Sequence, residues 1–225
     1  MSAPERVNQA RRAPEPRPRT SRGRGPLLAV ISGPSGAGKT TLCQNLLAAD
    51  PSLVRAVTCT TRAPRLGERD GVDYHFLTPE AFQRGVSSGE FLEHATVHGQ
   101  SYGTWNREVL DRLKAGQDVL LNVDVQGAAT IRSKAQEDTE LKRSLVSVFL
   151  TPPTMDIVEE RLRRRGTDSA AVIQKRLGVA RQEIAQWKNF DYLLLSSTMQ
   201  EDLRRMLAIV EAEKMRTLRV QAPEF

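Results

Sequence analysis

Residues Gly33-Pro34-Ser35-Gly36-Ala37-Gly38-Lys39-Thr40 match the spacing G-x-x-x-x-G-K-[ST] at every fixed position. Glycines let successive backbone N–H groups turn inward around phosphate oxygens, and a helix starting at the end of the loop adds partial positive charge. The lysine at Lys39 reaches the β- and γ-phosphates of a bound triphosphate, and the Thr40 hydroxyl faces the magnesium ion that such a nucleotide carries. This chemistry needs a strand before the loop and a helix after it. Leu27-Leu28-Ala29-Val30-Ile31 is an apolar run long enough for one buried strand, and from Thr41 to Ala49 the apolar Leu42, Leu46 and Leu47 fall at helical spacing. The context fits a nucleoside-triphosphate site.

The 225 residues, 39% of them hydrophobic, suffice for one α/β core with smaller lobes. No apolar run approaches the roughly 18 residues of a membrane span, so no membrane association is expected. Two cysteines, Cys43 and Cys59, form neither a disulfide framework nor a zinc pattern, which suits a reducing, cytoplasmic setting. His94 and His98 stand four apart without supporting ligands, so hydrogen bonding is favoured over metal binding.

The formal charge of +6 suggests nucleic acid, but its distribution argues otherwise. Residues 1–25 hold seven arginines (Arg6, Arg11, Arg12, Arg17, Arg19, Arg22, Arg24) against Glu5 and Glu15, giving +5 and leaving +1 for the rest. A Pro- and Arg-rich stretch with so little aliphatic bulk is expected to be a disordered basic tail. No nucleic-acid partner is expected for the folded part.

Beyond the first helix, Leu53–Thr58 reads as extended and Val72–Leu77 as a short strand. Thr78-Pro79 opens a helix, and Phe91–Tyr102 is a hairpin turned at 98–100. Helices are expected over Asn106–Lys114, Ala128–Gln136, Met155–Arg164, Asp168–Trp187 and Gln200–Met215. Strands are expected over Asp118–Val123, Leu145–Leu150 and Tyr192–Leu195. Strands separated by helices imply a parallel, helix-covered sheet. The β-rich stretch 58–103 interrupts that alternation as an inserted lobe.

That lobe and the strand after it carry a further series of motifs. These are T-T-R-x-P-R-x-G-E at 60–68, G-x-D-Y-x-F at 71–76, F-L-E at 91–93, Y-G-T at 102–104 and V-D-V-Q-G at 123–127. There is no N-K-x-D run of the kind that reads guanine in a GTPase. In this order and spacing the chain closely resembles the guanylate kinases, which transfer a phosphate from ATP to GMP, over about Pro26 to Val210. The resemblance implies an α/β P-loop kinase core with a parallel sheet, a small β-rich GMP-binding lobe (58–103) and a helical lid (161–188). The whole domain would run over 26–215, with 216–225 as a C-terminal tail. It also implies ATP and GMP as small-molecule substrates and magnesium as cofactor, and leaves monomer and homo-oligomer both open.

The residue chemistry agrees. A phosphate dianion needs bidentate cations and hydroxyls, a set supplied by Arg62, Arg65, Tyr74 and Tyr102, with Glu68 beside them. A carboxylate facing guanine gains hydrogen bonds from N1–H and the 2-amino group. With adenine it would be left buried and unpaired, at a cost of roughly 2–5 kcal/mol. Glu93 and Asp124 match the family's guanine-reading acids, with Thr104 and Thr58 as hydroxyl partners. Arg165 and Arg176 match the lid arginines that cover the transferring phosphoryl group, whereas Arg161, Arg163 and Arg164 are expected to pack or to be solvated. With Lys39 and Arg62, these lid arginines form the expected catalytic set.

The chain departs from the family pattern at three places. Asn122 stands where an acid is usual, which implies weaker use of magnesium. Ser196 replaces an asparagine that contacts adenine, and Thr58 replaces a serine. A non-catalytic relative that binds partners through the same lobe is the alternative, favoured only by Asn122 and Ser196.

Overall fold

The computed structural model describes residues 24–97, 99–164 and 169–220. The expected disordered tail, the His98 turn residue and the lid arginine Arg165 therefore lie wholly or largely outside the described residues.

Two sheets organise the chain. The larger is five-stranded and parallel: β2 (Leu53–Arg55), β7 (Asp118–Asn122), β1 (Leu28–Ser32), β8 (Leu145–Thr151) and β9 (Tyr192–Leu195), in that spatial order. Every residue of β1 is buried, as a strand covered on both faces by helices requires. One face packs α1 (Lys39–Ala49) and α8 (Met199–Lys214) through Leu42, Leu46, Met206 and Val210. The other takes α4 (Val125–Glu137) through Ala128 and Ile131.

The smaller sheet has the order β4 (His75–Phe76), β3 (Cys59–Thr60), β6 (Gln100–Trp105), β5 (Phe91–Val97), with an antiparallel β5–β6 hairpin. Its own core is Cys59, Phe82 and Phe91, where α2 (Pro79–Ser87) closes one side. The Thr78 hydroxyl caps α2 by accepting from the Ala81 N–H at 3.2 Å, as the Thr-Pro start predicts. The lobe is tied to the main core where Lys134 of α4 donates to the Phe91 carbonyl at 2.7 Å.

The structure corrects several expectations. The strand expected over 72–77 is only His75–Phe76, because residues 71–73 form a turn whose Gly71 has φ +71°. Asn106–Lys114 begins as a π-helical segment, Arg107–Asp111, before one α-turn, α3 (Arg112–Lys114). Helix α4 starts at Val125 rather than Ala128, because the Asp124 carboxylate caps it by accepting from the Gly127 N–H at 2.8 Å. A helix α5 (Thr139–Ser144), capped by Asp138, fills a gap where the sequence showed no periodicity. In the lid region, α6 (Met155–Arg164) and α7 (Ala170–Ile184) pack through Val158, Leu162, Ile173 and Leu177.

The chain also does not become a tail after Met215. Arg219 is buried and forms an ion pair with Glu213, both side chains 2% exposed, and it donates to the Leu145 carbonyl at 3.2 Å. Backbone hydrogen bonds join Gly25 to Arg219, and Arg24 pairs with the buried Asp118 at 2.5 Å. The two ends of the described chain thus clasp each other beneath the sheet. Removing one partner of a buried pair strands the other charge, which costs about 3–5 kcal/mol. Arg219→Ala is therefore expected to lower unfolding free energy by that order in urea titration at pH 7; a change below about 0.5 kcal/mol would show that the pair contributes little.

Candidate functional site

The loop after β1 follows directly from the sheet. Parallel pairing sets Ser32 opposite Phe149 of β8, so the chain must turn across Leu150. Gly33 has φ +140°, and a Cβ there would lie 2.0 Å from the Leu150 carbonyl oxygen. No side chain fits. Gly36 and Gly38 also hold positive φ, and Gly38 is the left-handed N-cap of α1, opening the first turn that contains Lys39, Thr40 and Thr41. The Lys39 ammonium donates to the carbonyls of Gly33 (2.6 Å) and Pro34 (3.1 Å), bridging the loop. Thr40 is exposed, with Asn122 half-buried at the end of the neighbouring strand β7.

A cleft of about 470 Å³ opens beside this loop, lined among others by Gly38, Thr41, Arg161, Ser196 and Asp202. Arg161, expected only to pack or to be solvated, spans it. Its guanidinium donates to the Ala37 carbonyl and to the Ser196 hydroxyl, each at 3.2 Å. Ser196 in turn donates to Asp202 at 2.8 Å, and Asp202 accepts the Ser197 N–H at 2.8 Å. The Ser196 hydroxyl is thus committed to holding Arg161 against the loop. A single arginine within a basic run gave no sign of this, because the run's register on α6 is set by the burial of Val158 and Leu162.

In the smaller lobe, Arg62 and Arg65 come from the turn after β3. Arg62 pairs with Glu68 at 2.9 Å and lies 5.4 Å from the centre of the Tyr74 ring, and the Tyr74 and Tyr102 rings stand 6.2 Å apart edge to face. The Glu68 hydrogen bond raises the Arg62 pKa. The other Glu68 oxygen accepts the Arg65 N–H at 2.7 Å, so Glu68 braces both arginines. Arg65 itself is exposed, and Thr58, just before β3, is buried.

Glu93 is strongly altered by its surroundings. It lies on β5 with 2% exposure, and burial pushes its carboxyl up to about 7 against the opposing hydrogen bond from Thr104, which donates at 2.6 Å. Asp124 faces it across Gly127. A Cβ on Gly127 would meet Glu93 Oε2 at 2.5 Å and Asp124 Oδ1 at 3.3 Å, so the absent side chain is what lets the two acids converge. Burial also raises the Asp124 pKa, opposed by its cap bond to Gly127 and by the Lys39 charge. Asp124 therefore caps a helix and faces the site at once.

Arg176 is half-buried midway along α7. Two turns further on the same helix, Glu183 reaches the phosphate loop, which the charged periodicity of this stretch concealed. Burial raises its pKa, while the Lys39 charge and the Ser35 N–H act in the opposite direction.

A phosphate loop at the carboxyl ends of a parallel sheet, beside a second lobe carrying two arginines and the buried Glu93, defines a P-loop phosphotransferase with a separate acceptor lobe. The family model for guanylate kinase matches residues 26–213. Guanylate kinases from Carboxydothermus hydrogenoformans (41% identity over 86% of this chain and 92% of theirs) and Paramagnetospirillum magneticum (43% over 88% and 91%) are similar to it along nearly their whole length. The crystal structure of guanylate kinase from Anaplasma phagocytophilum aligns with a TM-score of 0.69 at 33% identity, covering 88% of this chain and 91% of that one. The chain belongs to the guanylate kinase family.

The charge on Glu93 has a cost that can be measured. Its folded pKa is raised above the value of 4.5 for a free side chain, so its favourable contribution is complete below about 4.5 and is lost as pH rises through 7. Glu93→Gln removes that loss, which from the size of the shift is on the order of 3 kcal/mol. The variant is expected to melt higher than the wild type at pH 8 and to show no such advantage at pH 4.5. An equal difference at both pH values would contradict a buried, destabilised carboxylate.

Proposed function

We propose that this protein transfers the γ-phosphate of ATP to GMP, giving ADP and GDP. The observation that carries the reading is the convergence of two carboxyls across Gly127, the buried Glu93 and the half-buried Asp124. The N1–H and 2-amino group of guanine supply what those acids lack, and adenine cannot. Thr104 positions Glu93, and Thr58 is assigned as a further hydroxyl partner. Arg62 and Arg65, with Tyr74 and Tyr102, take the GMP phosphate; Glu68 is assigned to hold the arginines in place for it. The domain assignment follows: 26–215 as the kinase domain, extended by the clasp through Arg219, with 58–103 as the GMP lobe and 161–188 as the lid.

On the donor side, the backbone of residues 33–41 wraps the phosphates, and Lys39 exchanges its loop carbonyls for β- and γ-phosphate oxygens. Arg161, anchored by Ser196, positions the loop beside the nucleotide cleft. Among the described residues no group of three His, Cys, Asp or Glu side chains could hold a metal ion. The exposed Thr40 hydroxyl and the Asn122 amide instead suit magnesium that arrives on ATP and keeps most of its water. Magnesium held there by the Thr40 hydroxyl and beside Asn122 would neutralise charge on the transferring phosphates.

A GMP phosphate oxygen attacks the γ-phosphorus in line. The bond to the bridging oxygen breaks, and its electron pair leaves on ADP. The nucleophile is already anionic, so no general base is needed. Lys39, Arg62, Arg165 and Arg176 stabilise the spreading charge. The Glu183 carboxylate lies within electrostatic reach of Lys39, so it and an incoming phosphate act on the same ammonium. The two buried free thiols and the lack, among the described residues, of any helix long and apolar enough to cross a membrane support a cytoplasmic setting. Relatives named as guanylate kinases over most of their length favour catalysis above the interaction-module alternative.

The direct test is ADP release with Mg-ATP and GMP, AMP, CMP or UMP as acceptor. GMP is expected to exceed the others by about 10²-fold or more in kcat/KM, and equal rates would sink the assignment of Glu93 and Asp124. Because guanine binds the charged carboxylate, the KM for GMP should rise as pH falls through 7; a flat profile between pH 6 and 8 argues against charged Glu93 as the reader. In the same assay, Asn122→Asp is expected to reach half-maximal rate at a several-fold lower magnesium concentration. An unchanged magnesium titration would remove Asn122 from the account.

A further inference from the structure

A second cleft, of about 420 Å³, lies at the opposite end of the sheet from the phosphate loop. Leu145 and Ser147, at the start of β8, line it, whereas the far end of this seven-residue strand meets the loop, roughly 20 Å away. Five basic residues, Arg132, Lys142, Arg143, Arg216 and Arg219, border it against one lining carboxylate, Asp191. That carboxylate is already engaged, accepting the N–H and the hydroxyl of Ser147, both at 2.7 Å.

The basic residues are not equally committed. Arg219 is neutralised by Glu213, and Arg143 points two of its donors at the Leu218 carbonyl. Arg216 is more than half exposed and only loosely paired with Glu213 at 3.5 Å. Arg132 is held flat over the Phe190 ring at 4.7 Å, and its Nη1 is buried without a hydrogen-bond partner among the described residues. Arg219 Nε is orphaned in the same way. Both residues line the cleft, and a guanidinium N–H left unsatisfied behind it is costly unless an acceptor reaches it. Burial lowers the Arg132 pKa, the direction expected for a cation short of a counter-charge.

We propose that this cleft is a second anion site, taking a small molecule that bears two or more adjacent phosphate groups. Arg132 is the half-buried anchor, held in advance against Phe190, so little side-chain entropy is lost when it binds. Lys142 and Arg216 close over the outer phosphate from α5 and the C-terminal segment. The volume falls within the range of small-ligand pockets. Occupancy would cross-link α4, α5 and the C-terminal clasp, stabilising the fold without touching the catalytic lobe.

The probe is inorganic pyrophosphate, titrated by calorimetry into the full chain already saturated with GMP and ADP so that the catalytic site is filled. One further site per chain is expected. Lys142→Ala, an exposed change that should not affect folding, and Arg132→Leu, which keeps the apolar contact with Phe190, should each weaken that binding about tenfold or more while leaving GMP kinase activity unchanged. No binding to the filled enzyme overturns the proposal, as does binding that both variants leave intact.

Discussion

The parallel pairing of β1 between β7 and β8 is the constraint on which the rest depends. It buries β1 on both faces and delivers its end against Leu150, where a carbonyl oxygen leaves no room for a Cβ. The chain can leave that strand only as glycine, and a glycine-led turn aims backbone N–H groups at one point in space. The same pairing brings Asn122 at the end of β7, Asp124 just beyond it and Ser196 just beyond β9 to the same edge of the sheet. The donor cleft, the acceptor acids and the loop are neighbours because a parallel sheet puts every carboxyl end on one side.

The acceptor side is built on unfavourable burial. Glu93 is carried into the interior by the β5–β6 hairpin, where the Thr104 hydroxyl donates to it, Lys134 attracts its charge and Asp124 opposes it. Under the proposed function, stability is given up there for recognition, since a buried carboxylate with room for further donors discriminates sharply between bases that can and cannot supply them. Gly127 allows the arrangement. Its missing side chain admits the two acids to within reach of one ligand edge, and its N–H keeps Asp124 fixed as a helix cap.

A second theme is arginines placed by other side chains. Glu68 holds Arg62, Ser196 and Asp202 hold Arg161, Phe190 holds Arg132, and Glu213 holds Arg219. Each guanidinium loses rotamer freedom before any ligand arrives, so less entropy is lost on binding. Glu183 acts in the opposite sense. It brings a carboxylate of α7 within electrostatic reach of Lys39 in the phosphate loop.

The sequence alone determined the strand–loop–helix core, the phosphate loop and the order of motifs in the smaller lobe. These depend on local rules: glycine where φ is positive, a lysine at a fixed offset, and apolar periodicity that reports which face is buried. It could also nominate Glu93, Asp124, Arg62 and Tyr74, because a family motif fixes residue types at fixed spacing. What it could not show was which groups are already engaged. Asp124 as a helix cap, Ser196 as the anchor of Arg161, Glu183 at the loop and the orphaned Arg132 all depend on residues far apart in the chain. Helix α5 and the clasp at Arg219 escaped notice for the same reason, since short segments with weak periodicity are held by tertiary partners rather than by their own pattern. Local chemistry is written in the order of residues, whereas burial and hydrogen-bond satisfaction are properties of the packed chain, and only the tertiary structure decided them.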